Sequence, residues 1–536
     1  MSKWVPGGSL ALVVLFSSAT LAAPTAASAA PTESKVKIDP AMLLYLKECR
    51  RVVAAVGERI WPGWDISRTP ILFYRPGVQD ILIGFPHKPE GFAVLAGFNP
   101  LEGETLFVRD GKTFIDIDGQ NTVREIDGVR TLVVADGPSN QRQKLWGVLQ
   151  GQKPEFIQEW MDAWSFLPEP PYGQMSMILH EGFHAFQAAA APGKEPNELA
   201  AIDYPLLDIR NNALWSLEAD LIQDALLASD QAAAAAKIRE FVAVRMERRT
   251  GLAEALVEYE DQEEYLEGLA KYVEYAFLRQ AQGLEPAPEL FYLDGFFGYG
   301  PHLEEVLTGE FRRIKDIVAA NIDLIGNKYG VGPLRFRLYS SGASLAWFLD
   351  EVDPGWKADI FKPGLTLFGR LEKAEKLSPE EAARLAARAR KEYDYAAIES
   401  AKAKFKAEGE KILTEKVAGI LETKDTLVAI DYAAQEKIAG MAFTPFGVTR
   451  VGTDRVIYEL VPLMGKFAGG CEFKFAQVIP VLVDKAKKEM SFVVKTAPAA
   501  FLGAKGPAFK IDEFELKGCS FEVLAAGNKI RITLSK

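Results

Sequence analysis

The segment His180-Glu181-Gly182-Phe183-His184 constrains this chain more than any other, because it sets two of only four histidines four residues apart within a helical pattern. An α-helix advances about 100° per residue, so side chains four apart lie above one another and both imidazoles face one point. Ile178, Leu179, Phe183 and Phe186 supply apolar sides to that helix and create no packing need for aligned imidazoles. Two imidazoles on one helix face are half of a tetrahedral zinc site, and a catalytic zinc takes a third protein ligand and leaves its fourth position to water. The fold must therefore carry another ligand to this face. Glu181, beside the first histidine, is placed to take a proton from such a water.

Residues 1–29 read as a signal peptide: Lys3, an apolar run from Leu10 to Leu21, then small residues ending Ala27-Ser28-Ala29 before the expected cut. The mature chain is expected to be secreted or periplasmic. No later segment offers about 18 uninterrupted apolar residues, so no membrane span is expected in it. A net charge of −11 without a basic run disfavours nucleic acid and anionic membrane as partners. Of three cysteines, Cys471 and Cys519 fall in one C-terminal region and are able to pair in an oxidising compartment. Cys49 is expected on a helix as an inert buried thiol.

The pattern changes twice along the 536 residues. Residues 30–150 read as an α+β unit: Asp39-Pro40 starts a helix running to about Ile60, and short apolar runs follow at Ile71–Tyr74, Ile81–Phe85, Leu106–Val108, Thr113–Ile117 and Thr131–Val134, with a hairpin at Asp110-Gly111. Residues 151–425 read as helical, ending in an amphipathic stretch that Ser378-Pro379-Glu380-Glu381 opens. Residues 426–536 read as an antiparallel β domain with a turn at Gly527-Asn528. The fold class is thus multidomain α+β, a mainly helical region between two strand-bearing ones.

Three glutamates compete for the third ligand position. Position 190 is alanine, which removes the histidine that a metzincin would supply six residues after His184. Glu198 follows Ala191-Pro192-Gly193 closely and reads as a loop or cap carboxylate. Glu218 sits on a well-formed helix. Glu267 begins Glu267-Gly268-Leu269-Ala270-Lys271-Tyr272-Val273-Glu274, where small Gly268 and Ala270 let two helices approach. The chemistry leans toward Glu267 and leaves Glu218 as its rival.

In these residues the chain resembles the gluzincin metallopeptidases, such as the aminopeptidase N and glycyl aminopeptidase families. They carry HExxH and then a helix of the form EGxAxYxE, which Glu267–Glu274 matches. Their later tyrosine segment is similar to Tyr339-Ser340-Ser341-Gly342-Ala343, continuing to Leu349-Asp350. The resemblance spans the helical region and implies a gluzincin-like catalytic domain in which His180, His184 and Glu267 hold Zn²⁺, Glu181 is the general base and Tyr339 stabilises the oxyanion. It implies a peptide or protein substrate. The chain departs from the family in two respects: residues 185–266 separate the second histidine from the glutamate, and no Gly-x-Met-Glu-Asn segment is present while Ser341 replaces the usual lysine. A doubling of loop length costs only about 0.6 kcal/mol, so the insertion is tolerable as a helical pair. The departures separate this chain from an aminopeptidase in the narrow sense. His302 and Tyr299 are the alternatives to Tyr339. An exported binding protein with a structural zinc, and a zinc hydrolase of non-peptide amides or esters, are the rival functions.

Overall fold

The computed structural model describes residues 35–115, 119–142, 171–319 and 327–535. The expected signal peptide and the expected boundary near residue 150 lie outside the described residues. Asp39 accepts a hydrogen bond from the Ala41 amide through its carboxylate at 3.0 Å and starts helix α1, Ala41–Ile60. Six strands follow: β1 Ile71–Arg75, β2 Gln79–Ile83, β3 Ala93–Val94, β4 Phe107–Asp110, β5 Thr122–Ile126 and β6 Val129–Ala135. They form one sheet in the order β3-β4-β2-β1-β6-β5, antiparallel except for the parallel pair β1–β6.

The hairpin expected at Asp110-Gly111 is not there. β4 pairs with β2 and β3, and the tight hairpin falls instead at Asp127-Gly128 between β5 and β6. Both residues of that turn have positive φ, 48° and 74°, the conformation a two-residue turn needs to match strand twist. In this unit Asp-Gly recurs at 110–111, 118–119, 127–128 and 136–137, so the local signal is shared and strand pairing decides where the hairpin falls. Thr113–Ile115 forms no strand.

The helical region contains α2 Pro171–Ala190, α3 Ile209–Leu226, α4 Gln231–Arg249 and α5 Glu254–Glu263. A π-helical turn, Glu264–Gly268, leads into α6 Leu269–Gln280, and α7 Pro301–Ala319 and α8 Val331–Val352 complete the packing around the His180–His184 helix. α3 and α4 are the helical pair expected inside the long insertion. The terminal amphipathic stretch is broken into α9 Leu367–Glu375, α10 Pro379–Glu392 and α11 Tyr395–Leu421. Ser378 caps α10 as its sequence predicts, while Asp394, at φ 47°, turns the chain and caps α11.

Beyond α11 two sheets pack face to face. The larger joins, in spatial order, β17 Phe521–Ala526, β18 Lys529–Leu534, β7 Thr426–Asp431, β14 Glu489–Val494, β13 Val481–Asp484, β10 Arg455–Tyr458 and β9 Val448–Val451, and the smaller β15 Ala508–Lys510, β16 Phe514–Lys517, β12 Glu472–Phe475, β11 Met464–Phe467 and β8 Ile438–Ala442. Phe492 of β14 meets Phe475 of β12 and Phe514 of β16 at ring separations of 4.8 and 5.0 Å, which seals the interface between the sheets. The pairing is antiparallel apart from β7–β18, which runs parallel. Cys471 and Cys519 form a disulfide across the ends of the paired strands β12 and β16. Val417 and Ile420 of α11 cover the outer face of the larger sheet through Leu427, Ile457 and Leu482.

One apolar core runs through all three regions. Its densest aromatic contact centres on Trp61, just past α1, whose ring meets Phe183 at 4.8 Å, Trp356 at 5.3 Å and Phe361 at 5.5 Å. That cluster lies directly under the His180–His184 helix. Gly182 makes the contact possible, since a β-carbon there would stand 2.6 Å from the Ile66 side chain. Among the described residues no helix is long and apolar enough to cross a membrane.

Candidate metal centre

His180 and His184 project from α2 as their spacing requires, with ring centroids 4.8 Å apart and planes at 82°. Their Nε2 atoms stand 3.1 Å from each other. Glu267 Oε2 comes within 3.4 Å of the first and 3.3 Å of the second. Three donors at the corners of a tetrahedron with zinc bonds of 2.0–2.1 Å are separated by about 3.3 Å. The triangle of 3.1, 3.4 and 3.3 Å therefore fits such an ion in both size and chemistry. His180, His184 and Glu267 form the one group among the described residues able to hold a metal.

Glu267 reaches the histidines from the π-helical turn, where the wider coil re-aims a side chain that a regular helix would direct elsewhere. Gln187, one turn beyond His184, holds that turn against α2. Its amide nitrogen donates to the carbonyls of Tyr265 and Leu266 at 2.8 and 3.1 Å, and its amide oxygen lies 3.0 Å from His184 Nδ1. Gly268 does permit a close helix approach, although its partner is α8. A β-carbon on Gly268 would sit 2.5 Å from Gly342 Cα, and one on Gly342 would sit 2.6 Å from the Glu264 carbonyl oxygen. Behind the turn, Glu264 is held by Arg245 at 2.7 Å and by the Ser341 hydroxyl.

Each ligand has an outer partner that orients it. His180 Nδ1 lies 2.8 Å from Glu274 Oε1, and Lys271 holds the other Glu274 oxygen at 2.8 Å. The second Glu267 oxygen accepts from Arg335 at 3.1 Å, leaving Oε2 to face the histidines. Arg335 also contacts Glu263, 2.9 Å away, and Glu198. Such second contacts fix ring orientation and raise ligand basicity.

The electrostatics follow from burial and these partners. Burial works against a charged His180, but its hydrogen bonds to the Glu267 and Glu274 carboxylates outweigh it and raise its pKa to about 10. Burial likewise opposes the Glu274 carboxylate, and Lys271 and His180 outweigh it to bring that group to about 2. Against the same opposition from burial, the two histidines and Arg335 hold Glu267 well below the usual carboxylate range. The surrounding carboxylates thus stabilise positive charge at His180. Burial pushes the Glu181 carboxyl up, with His184 and His180 pulling the other way.

Tyr339, on α8, brings its ring to 6.2 Å from that of His180, nearly parallel at 28°. Burial raises its hydroxyl well above the usual tyrosine range, and Glu267 adds to the effect. The alternatives to Tyr339 lie elsewhere. Tyr299 is buried against Met175 and Glu48, and His302 packs on Tyr172 at the first turn of α2, eight residues before His180. Glu218 is excluded as a ligand: fully buried, it is consumed by Arg245 at 2.8 Å and Arg248 at 2.6 Å. Glu198 opens a four-residue helix and serves Arg335. Tyr272 and Asp350, from two separate sequence motifs, hydrogen-bond each other at 2.6 Å.

Glu274, Arg335 and Gln187 are the outer residues that sequence reasoning left without these roles. Glu274 lies seven residues after Glu267 and so on the same helix face, and Gln187 lies three after His184; both spacings were available signals. Arg335 carries none, since it comes from a distant helix. Compared with family models, curated proteins and solved structures, the chain matches none.

Proposed function

We propose that this protein is an exported zinc-dependent metallopeptidase. The observation that carries the reading is the triangle of His180, His184 and Glu267 donor atoms, 3.1 to 3.4 Å on a side, with Glu181 beside it on the same helix. A structural zinc needs no adjacent base, whereas a hydrolytic one does. The resemblance to gluzincins supports the same choice, and the Cys471–Cys519 disulfide suits an oxidising compartment.

Zinc held by these three side chains supplies the positive charge that acidifies a water and polarises a carbonyl. The chain's own groups do the rest. A Glu181 carboxylate oxygen takes the proton of the attacking water, aided by the burial that makes this carboxyl more basic than usual, and returns it to the leaving amine. The Tyr339 hydroxyl donates to the oxyanion that develops on the carbonyl oxygen. Arg335 and Glu274 keep Glu267 and His180 in their orientations throughout.

Elemental analysis together with a peptide-library screen tests the reading. The expected result is about one zinc per chain and peptide cleavage lost by at least ~10²-fold in Glu181→Gln, with zinc content unchanged. Wild-type protein that takes up no zinc after reconstitution refutes the reading.

A further inference from the structure

From Val331 to Ala346, α8 is buried at every residue except Phe336 and Tyr339. Three positions apart, these two lie on one face of the helix, and that face is where α8 opens toward solvent. Tyr339 sets the opening beside the candidate metal centre, its ring 6.2 Å from that of His180. Phe336 follows at 5.9 Å from Tyr339. The proposed chemistry makes no use of Phe336.

The C-terminal β region extends the same aromatic surface. Phe446, half-buried in the turn Pro445–Gly447 between β8 and β9, brings its ring to 5.6 Å from that of Phe336, inclined at 35°. Arg335 joins this surface to the metal centre: its guanidinium stands 5.9 Å from the Tyr339 ring and 5.3 Å from the Phe446 ring, and it donates to Glu267 at 3.1 Å. The turn that carries Phe446 is held at its base. The Gly447 amide donates to the Thr444 carbonyl at 3.0 Å, the Gly447 carbonyl accepts from the Glu459 amide at 2.9 Å, and a β-carbon at position 447 would overlap the Glu459 carbonyl oxygen. Half-open rings fixed in this way are a ready surface for an apolar group, because little ordering remains to be done when one is bound.

We propose that Phe336 and Phe446 form a specificity wall that takes one large apolar side chain of the substrate, aromatic or long aliphatic, within three residues of the scissile bond. The inference rests on the peptidase reading of the metal centre. Its reach follows from the geometry: one guanidinium separates Phe446 from Glu267, a span on the order of 10 Å that three extended residues cover at about 3.3 Å each. A large apolar side chain covers the rings and removes their surface from water, whereas alanine leaves them wet. The C-terminal β region thereby supplies part of the substrate cleft through Phe446.

Cleavage of a peptide library by the full mature chain, together with binding of the same peptides to Glu181→Gln, tests this. At one position flanking the cleaved bond, kcat/KM should favour phenylalanine or leucine over alanine by on the order of 10- to 100-fold, and Glu181→Gln should show the same order in binding. Phe446→Ser should bring that ratio toward unity through KM more than kcat, with zinc content unchanged, and Phe446→Leu should restore most of it. The ratio is taken within each protein, so a smaller folded fraction does not move it. A library cleaved without apolar preference overturns the proposal, as does a ratio that Phe446→Ser leaves unmoved. Peptides bound by Glu181→Gln with this preference yet never cleaved by wild type would sink the peptidase reading alone and leave the wall standing. Protein that neither binds nor cleaves them overturns both.

Discussion

Replacing Gly268 by alanine adds one methyl group where the π-helical turn leading into α6 crosses α8. The new carbon would stand 2.5 Å from Gly342 Cα, 2.8 Å from the Gly342 carbonyl carbon and 3.1 Å from the Ala343 nitrogen. All three neighbours are backbone, so no side chain is able to swing away. Carbon atoms pack at about 3.5–4.0 Å, and the helices must therefore separate by roughly 1 Å. Overpacking of this kind costs about 1–3 kcal/mol, and the backbone contact puts Gly268→Ala at the upper end. The displacement also reaches Glu267, the preceding residue, whose Oε2 is matched to both histidines at 3.3 and 3.4 Å. Metal sites tolerate about 0.2 Å of ligand error, so zinc affinity should fall by roughly 10- to 100-fold. Urea denaturation of the metal-free protein measures the first effect and chelator competition the second. Gly309→Ala, in α7 with no atom within 4 Å of the added carbon, is the matched control and should gain about 1 kcal/mol from helix propensity alone. A Gly268→Ala protein as stable as wild type in urea would refute the close crossing.

Glu267→Ala should lose zinc, whereas Glu218→Ala should keep it and lose about 3–5 kcal/mol, because Arg245 and Arg248 are left buried and short of a partner. Elemental analysis and denaturation on the two proteins separate these outcomes. Burial opposes the Glu260 carboxylate, but Arg248 and Arg249 outweigh it and lower its pKa from 4.5 to about 2. Its stabilisation is therefore complete above pH 4.5 and lost as pH falls through 2, a term on the order of 3 kcal/mol. Glu260→Gln should flatten the acid limb of the stability profile, and an unchanged slope between those pH values would count against the buried network. Replacing Cys471 and Cys519 by serine opens a loop of 48 residues in sequence separation and should cost about 2–5 kcal/mol, read from the denaturation midpoint.

Much of the candidate metal centre was legible as spacing. His180 and His184 need only the helical repeat to face one point, and Glu267 with Glu274 needs only two further turns of the same repeat. Glu218 could not be dismissed in the same way. Its helix is well formed, and what removes it is a pair of arginines 27 and 30 residues further along the chain that fold back onto it. The turn at Asp127-Gly128 was missed for a related reason: Asp110-Gly111 carries the same local signal, and β4 spends its hydrogen bonds on β2 and β3 instead.

By itself the sequence determined what depends on local periodicity and local chemistry. It placed the α1 and α10 caps, the histidine face, the candidate base, the β17–β18 turn at Gly527-Asn528 and the division into helical and strand-bearing regions. Tertiary structure decided what depends on which distant charges meet. The π-helical turn forms where Gln187 is able to take up its carbonyls and where Gly342 admits Gly268. Arg335 finds Glu267, whereas Arg337, two residues on, leaves its Nε and Nη2 without a hydrogen-bond partner among the described residues. Residues 335 and 337 look alike in one dimension. The roughly 200° of helix between them sends one to the candidate metal centre and the other toward Trp215, and only the packed fold distinguishes those fates.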